Sequence, residues 1–168
     1  MKKLFLAAPI LLAGCVDPSA PGLFSNLGGA TNAVALPPEM AAPPETLDPT
    51  PPPPPPPMAR TVEQFDTTSA EDRAEAVAAE PESGERSLGT TLTTLGSPTD
   101  PGIWLKTPLV SELQMGRATY GQNGRTIALE LRPSGGASGS GSQLSLAAMR
   151  LLDAPLTEVV EIEVLAGG

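Results

Sequence analysis

The chain has 168 residues, of which 19 are acidic and 10 basic, and its formal net charge at pH 7 is −9. This charge argues against a nucleic-acid partner, because neutralising phosphates requires clustered lysine and arginine side chains. There is no histidine, and the single cysteine excludes an intramolecular disulfide. With three Phe, one Trp and one Tyr, any compact core must be small and mostly aliphatic.

The amino terminus has the pattern of an export signal. Lys2 and Lys3 precede a nine-residue apolar stretch, residues 4–12, and two small residues then lead to Cys15. A helix that crosses a bilayer needs about 20 residues, so this stretch is too short to span one. The pattern therefore predicts that residues 1–14 are a cleaved signal peptide.

The residues at the predicted cleavage site, LAGC at positions 12–15, resemble the bacterial lipobox. That resemblance implies diacylglycerol transfer to the Cys15 thiol, cleavage before Cys15 and acylation, typically with palmitate, of the new amino terminus. Several acyl chains anchor a protein stably where one is marginal. The alternative is an ordinary signal-peptidase site with an incidental cysteine.

In the bacterial sorting rule an aspartate directly after the cysteine favours the inner membrane. Val16 stands there and Asp17 follows, so we expect an outer-membrane lipoprotein facing the periplasm, with the inner membrane as the alternative.

The next segment, residues 15–59, is predicted to be a disordered, proline-rich tether. Fourteen of the 21 prolines lie in it, seven of them in an unbroken run at residues 51–57. Such a run favours polyproline II, which rises about 3.1 Å per residue and acts as a semi-rigid spacer. The alternative is a ligand for a proline-binding module.

Residues 60–86 are predicted to be an acidic linker. Eight acidic residues and three arginines give it a net charge of −5. Ser69 and Asp72 have the spacing of a capping box, and an alanine-rich sequence runs from there to Glu80, where Pro81 stops it. The apolar face is narrow, so a solvated, transiently helical linker is expected. A helix that binds a partner is the alternative.

The remaining chain, residues 87–168, is predicted to be a small β-rich domain. Alternating apolar and polar residues or strand-forming composition mark strands, and Asn123-Gly124 favours a type I′ hairpin turn. The predicted strands are residues 90–95, 103–107, 116–121, 125–132 and 159–165.

Apolar residues at helical spacing predict one helix over residues 144–152, capped by Ser142 or Ser145. The predicted fold class is thus mainly β with one helix, a small psi-barrel-like α+β domain. About 80 residues without a disulfide are enough to fold, although stability is modest at this size.

A glycine- and serine-rich loop, residues 135–142, leads into the predicted helix and raises the question of phosphate binding. A Walker-type loop needs a lysine at the helix entrance, and Gln143 and Leu144 follow instead. The dinucleotide pattern also fails, because no third glycine and no βαβ unit are present. We therefore predict no nucleotide and no cofactor.

The order of elements resembles the second half of the double-psi β-barrel of rare lipoprotein A, a murein-cleaving lipoprotein. The resemblance covers roughly residues 102–165. It depends on the strand that starts at Gly124-Arg125, a glycine-containing loop, the helix that begins QLSLAA at residues 143–148, and the final strand VEIEVL. The implied fold is a double-psi barrel, and the implied activity is cleavage of a peptidoglycan glycan strand.

The chain differs from that family at the positions of the family's catalytic residues. The family's catalytic aspartate follows the strand, where this chain has RPSG at residues 132–135. The aspartate before the Leu-Ser pair is replaced by Gln143, and the family's active-site histidine has no counterpart. Because cleaving a glycosidic bond requires a proton donor, the resemblance implies a barrel without the enzyme site.

Other chemistry has little support in the residues. Metal or nucleophilic chemistry without histidine would need a serine and a lysine, and Lys106 is the domain's only lysine. Glu130, Glu161 and Glu163 fall on the polar faces of alternating strands, where solvated side chains are expected. The segment GIWLKTPLV resembles one in short lipoproteins that carry a galactarate dehydratase label, but dehydratases use metal or acid–base groups that these residues do not supply.

The sequence as a whole predicts a membrane-anchored periplasmic lipoprotein that is a non-enzymatic binding or structural protein. Its expected partners are the bilayer, through acylated Cys15, and peptidoglycan or an envelope protein; a murein-cleaving enzyme of the lytic transglycosylase kind is the alternative. In one interpretation Trp104 belongs to the core and the basic side chains are merely solvated. In the other, a glycan- or partner-facing surface is formed by Trp104, Lys106, Arg117, Arg125 and Arg132.

Overall fold

The computed structural model describes residues 46–81 and 83–167. The predicted signal peptide, Cys15 and the first part of the predicted tether lie outside the described residues. Within the described part of the chain, no helix has both the length and the apolar character needed to cross a membrane. The elements are α1 (Val62–Phe65), α2 (Ala70–Ala78), β1 (Arg86–Leu95), β2 (Trp104–Thr107), β3 (Gln114–Tyr120), β4 (Arg125–Pro133), β5 (Ser142–Leu144), α3 (Leu146–Leu151) and β6 (Val160–Ala166).

The six strands form a closed barrel in the order β1-β5-β2-β4-β3-β6. The β1–β5 and β2–β4 pairs are parallel, and the other four pairs are antiparallel. Strand β1 closes the barrel, because it pairs with β5 along one edge and with β6 along the other. The prediction of a mainly β domain is confirmed, and a single chain supplies every strand of the barrel.

Alternation along the strands fills the barrel interior. Ile127, Leu129 and Leu131 of β4 are at most 1 % exposed, and the intervening residues face outward. Strand β6 repeats the pattern, with Ile162 and Val164 fully buried and Glu161 and Glu163 exposed. The alternation that identified these strands in the sequence is therefore the alternation that builds the core.

The helix predicted over residues 144–152 is shorter than expected. Residues 142–144 instead form β5, in which Leu144 pairs with Leu95 on one side and Leu105 on the other. The helix begins only after Ser145, whose hydroxyl accepts a hydrogen bond from the backbone N–H of Ala148 at 3.2 Å. Leu144 is buried as a strand residue. The spacing of apolar residues in the sequence did not by itself distinguish a strand from a helix at this position.

The predicted type I′ turn is also absent from the hairpin between β3 and β4. Tyr120 and Arg125 are the last paired residues, so the connection has four residues rather than two. A type I′ turn needs a positive φ at both central positions; Gly124 has φ 71°, and Asn123 is not among the described residues with positive φ. The Tyr120 carbonyl instead accepts from the N–H groups of Asn123 and Gly124.

The described residues that precede β1 pack on the outside of the barrel. Helix α2 begins at the predicted Ser69 cap, with a complete capping box, and contacts β4; its Ala76 is buried. The Asp66 carboxylate, 1 % exposed, lies 2.9 Å from Arg73 and 2.7 Å from Arg150 of α3. The Asp66–Arg150 ion pair joins the segment that contains α1 and α2 to the barrel domain.

Candidate functional site

The outer face of β2 and β4 holds three of the five candidate residues. In the parallel ladder Lys106 pairs with Arg132, and Trp104 pairs with Glu130. The Arg132 guanidinium lies over the Trp104 ring, 5.1 Å from its centroid, and the indole Nε1 donates to the Asp100 carbonyl at 3.3 Å. Trp104 is only 2 % exposed, so in this arrangement its ring offers no free face for stacking on a sugar.

Arg132 is held between two carboxylates. Its Nη1 lies 3.2 Å from both carboxylate oxygens of Asp100, and its Nε donates to Glu130 at 2.5 Å. The second oxygen of Glu130 accepts from the Thr46 hydroxyl at 2.9 Å and from the backbone N–H of Leu47. The sequence identified Arg132 as a candidate, and the structure shows its charge engaged within the protein.

The solvated position expected for Glu130 is therefore wrong. Glu130 is 5 % exposed, although it lies on the outer face of β4. Residues 46–54, here called the N-terminal segment, cover that face, and Thr67 fixes the segment further by donating its hydroxyl hydrogen to the Pro53 carbonyl at 2.6 Å. The contact joins residues 84 positions apart, and nothing in the local sequence around Glu130 signals it.

Lys106 lines a recess on the barrel surface, here called the loop cleft. The cleft has a volume of about 540 Å³ and lies between the outer faces of β1, β5 and β2 and the glycine-serine loop. Across these strands Thr94 pairs with Gln143, which pairs with Lys106. Two exposed apolar side chains, Leu92 and Val159, complete the lining. Among the described residues that line the cleft none is acidic, so Lys106 gives this lining a positive charge.

The glycine-serine loop, residues 134–141, forms the other wall of the loop cleft. Gly135, Gly139 and Gly141 have positive φ values of 67°, 85° and 45°, which glycine adopts without a steric penalty. Ser134 and Ser140 line the cleft with their polar side chains. The loop that resembled a phosphate cradle thus lies beside a lysine, which comes from β2 and not from the start of the following helix.

Ser142 at the base of the cleft belongs to a buried chain of hydroxyl groups. Its Oγ donates to Thr107 Oγ1 at 2.8 Å and lies 2.8 Å from Thr91 Oγ1. In the described structure no hydrogen bond joins Ser142 to Lys106. The arrangement satisfies the polar groups at a junction of three strands and does not place a base beside a serine nucleophile.

The other two candidates lie apart from Lys106. Arg125, at the start of β4, is exposed and its Nη1 lies 3.5 Å from the Leu151 carbonyl. Arg117 of β3 is mostly buried, with its Nη1 3.8 Å from Glu85. The structure therefore does not assemble the five predicted residues into one surface.

Arg117 contributes to a second recess, here called the outer groove. The groove has a volume of about 980 Å³ and lies between the N-terminal segment, helix α2 and the outer faces of β3 and β4. Ile103, Met115 and Ala76 are among its apolar lining residues. Sequence reasoning did not identify this groove, because its walls come from segments distant in the chain.

Titration and metal chemistry add little to either recess. In the part of the chain that the structure describes, no cluster of three Asp, Glu, Cys or His side chains is placed to hold a metal ion. The pKa of Glu63, an exposed residue of α1, lies below its ordinary value, because its carboxylate accepts hydrogen bonds from its own backbone N–H and from the Thr61 side chain. Glu63 lines neither recess.

Comparisons of the chain with protein-family models, with curated proteins and with solved structures find no match.

Proposed function

We propose that the protein is a bacterial cell-envelope lipoprotein, anchored through acylated Cys15, whose barrel domain is a non-enzymatic binding module in the periplasm. The observation that supports the anchor is the sequence itself: a cationic start, nine apolar residues and LAGC ending at the only cysteine. The absence of aspartate directly after Cys15 favours the outer membrane over the inner membrane.

The barrel supports the proposed kinship with the rare lipoprotein A domain. A six-stranded closed barrel with two parallel pairs, and a short helix between its last two strands, is compatible with a psi-type barrel. In this proposal the domain is a relative that has lost its catalytic site. The residues at the position of the family's catalytic aspartate, Pro133 and Ser134, lie at the end of β4 and in the glycine-serine loop.

The loop cleft is the site that best suits peptidoglycan, and it is the observation that carries the binding proposal. It combines serine and threonine hydroxyls, the Gln143 amide, one cation and two apolar side chains. Hydroxyl and amide groups exchange hydrogen bonds with sugar hydroxyls, apolar side chains cover the C–H faces of a sugar, and Lys106 pairs with a carboxylate. A polymer of amino sugars that bears carboxylated peptides offers all three.

A binding experiment with isolated murein tests the proposal. The full chain is incubated with insoluble murein sacculi, and the bound fraction is measured after sedimentation. We expect saturable binding that Lys106→Gln weakens about two- to fivefold, the range typical of one exposed charge pair. Arg86→Gln removes an exposed cation from the start of β1 and should leave binding unchanged. Equal binding by the protein and both variants would contradict a role for the loop cleft.

The same incubation separates binding from catalysis. Soluble products are analysed for anhydro-sugars, which lytic cleavage of the glycan releases. Their accumulation with the wild-type chain would refute the non-enzymatic proposal and favour the murein-cleaving alternative. Sedimentation of the protein with intact murein, and no soluble product, supports the binding module.

The anchor is tested independently with Cys15→Ala. We expect this variant to remain unprocessed and to lose incorporation of labelled palmitate in a bacterial host. A mature-sized, palmitate-labelled protein from Cys15→Ala would overturn the lipobox assignment. This result does not depend on whether the loop cleft binds murein.

A further inference from the structure

The outer groove has the dimensions of a ligand site. Its volume of about 980 Å³ is at the upper end of the range for small-molecule and short-peptide clefts, about 300–1,000 Å³. Its floor is the outer face of β3 and β4. The floor includes the exposed apolar side chain of Met115.

The charges around this apolar floor are strongly negative. Seven carboxylates and two guanidinium groups line the groove, a net charge of −5. Asp100 and Glu130 are neutralised in part by Arg132. Glu75 and Glu80, on and just after α2, are exposed and make no ion pair within the described structure. The free charge of the groove is therefore concentrated along the wall formed by α2.

One polar atom in the groove lacks a partner. Arg117 Nε is buried and has no hydrogen-bond acceptor among the described residues. A buried donor without an acceptor costs free energy, and this one belongs to a side chain that lines the groove. A carbonyl oxygen of a bound ligand would accept a hydrogen bond from Arg117 Nε. A carboxylate of the ligand would instead be repelled by the acidic residues around it.

We propose that the outer groove binds a short, basic segment of a partner protein. Its apolar side chains lie on Met115 and Ile103, its lysine or arginine side chains pair with Glu75 and Glu80, and a backbone carbonyl accepts from Arg117 Nε. The apolar floor, the negative wall and the unsatisfied donor each match one part of such a peptide. This interaction is separate from murein binding at the loop cleft and does not depend on it.

The experiment uses the full chain in detergent micelles and a fluorescein-labelled peptide with the sequence KLKLKL. Anisotropy should show saturable binding that weakens as salt rises from about 50 mM to about 300 mM, because charge pairs at the rim are screened. The peptide ELELEL has the same length and apolar content with the opposite charge, and it should not bind. Equal affinities for the two peptides would overturn the proposal.

Two double variants locate the site. Glu75→Gln with Glu80→Gln removes two exposed charges from the wall of the groove and should weaken KLKLKL binding at least about fivefold. Glu161→Gln with Glu163→Gln removes two exposed charges from β6, which does not line the groove, and should leave affinity within about twofold. An equal loss in both double variants would show that the peptide senses only overall charge and would refute the groove as its site.

Arg117→Lys tests the unsatisfied donor. This variant keeps the charge and removes the guanidinium Nε, so we expect severalfold weaker KLKLKL binding with unchanged far-UV circular dichroism. Wild-type affinity in Arg117→Lys would overturn the carbonyl contact. Lys106→Gln should leave KLKLKL binding unchanged, which separates a failure at this groove from a failure of the loop cleft.

Discussion

Replacing Glu130 with glutamine is the most informative perturbation of this fold. The Glu130 side chain is 7 % exposed, and it accepts hydrogen bonds from Arg132, from the Thr46 hydroxyl and from the Leu47 backbone N–H. A glutamine of nearly the same shape keeps one acceptor oxygen and replaces the other with an NH₂ group. Whichever way the amide turns, a donor then faces a donor.

The expected cost follows from these contacts. A hydrogen bond to a charged group contributes about 1.5–3 kcal/mol, and breaking a buried ion pair on one side costs about 3–5 kcal/mol. Arg132 keeps Asp100 as a partner, so the cost should lie below the range for a broken ion pair and in the upper part of the range for one hydrogen bond to a charged group. We expect Glu130→Gln to lower the free energy of unfolding by about 2–3 kcal/mol, a large share of a typical total of about 5–15 kcal/mol.

Urea unfolding followed by the fluorescence of Trp104, the only tryptophan, measures this change. With a slope of about 1–3 kcal/mol per molar urea, the midpoint should fall by roughly 0.7–3 M. Hydrogen exchange at the Leu47 amide should accelerate in Glu130→Gln, because that N–H loses its acceptor. Glu161→Gln is the matched control on an exposed strand position, with an expected change within about 0.5 kcal/mol. Equal midpoints for the two variants would refute the buried role of Glu130.

Three further outcomes are expected. Gly116→Ala should destabilise the barrel by about 2 kcal/mol or more in thermal unfolding, because the new methyl group would clash with the Leu165 carbonyl. The control Gly121→Ala should be close to neutral in the same measurement, because no atom lies within 4 Å of the added methyl group. Ser145→Ala should cost about 1–3 kcal/mol in urea, because the hydroxyl accepts from two backbone N–H groups, and a wild-type midpoint would contradict this. Glu63 should titrate by NMR below its ordinary pKa of 4.5. Its contribution to stability is therefore present above pH 4.5 and is lost as the pH falls through the folded-state pKa. A titration midpoint of Glu63 at or above pH 4.5 would contradict this prediction.

Much of the barrel was predictable from local patterns. Alternation along RTIALELR and VVEIEVL identified β4 and β6, since side chains of a strand face opposite sides of the sheet. The capping box at Ser69 correctly located the start of α2, because such a cap acts within one helical turn. These predictions succeeded where the deciding interactions lie a few residues apart.

The predictions that failed depended on neighbours supplied by other parts of the chain. Leu144 was assigned to a helix, yet it is a strand residue because β1 and β2 leave a gap that β5 fills. Asn123-Gly124 suggested a two-residue turn, but the β3–β4 register leaves four residues between the strands. In each case, pairing with a distant strand outweighed the local preference.

The sequence by itself determined the features that short-range chemistry controls: the export signal pattern that ends at Cys15, the net negative charge, the missing histidine and the two-residue period of the strands. Only the tertiary structure decided which charges are free. It pairs Arg132 with two carboxylates and buries Glu130 beneath a segment that includes Thr46, 84 residues away, while Lys106 makes no ion pair with the described residues and lines an open cleft. Ion pairing and burial depend on which surfaces come into contact in the folded chain. The local sequence around these residues does not specify those contacts.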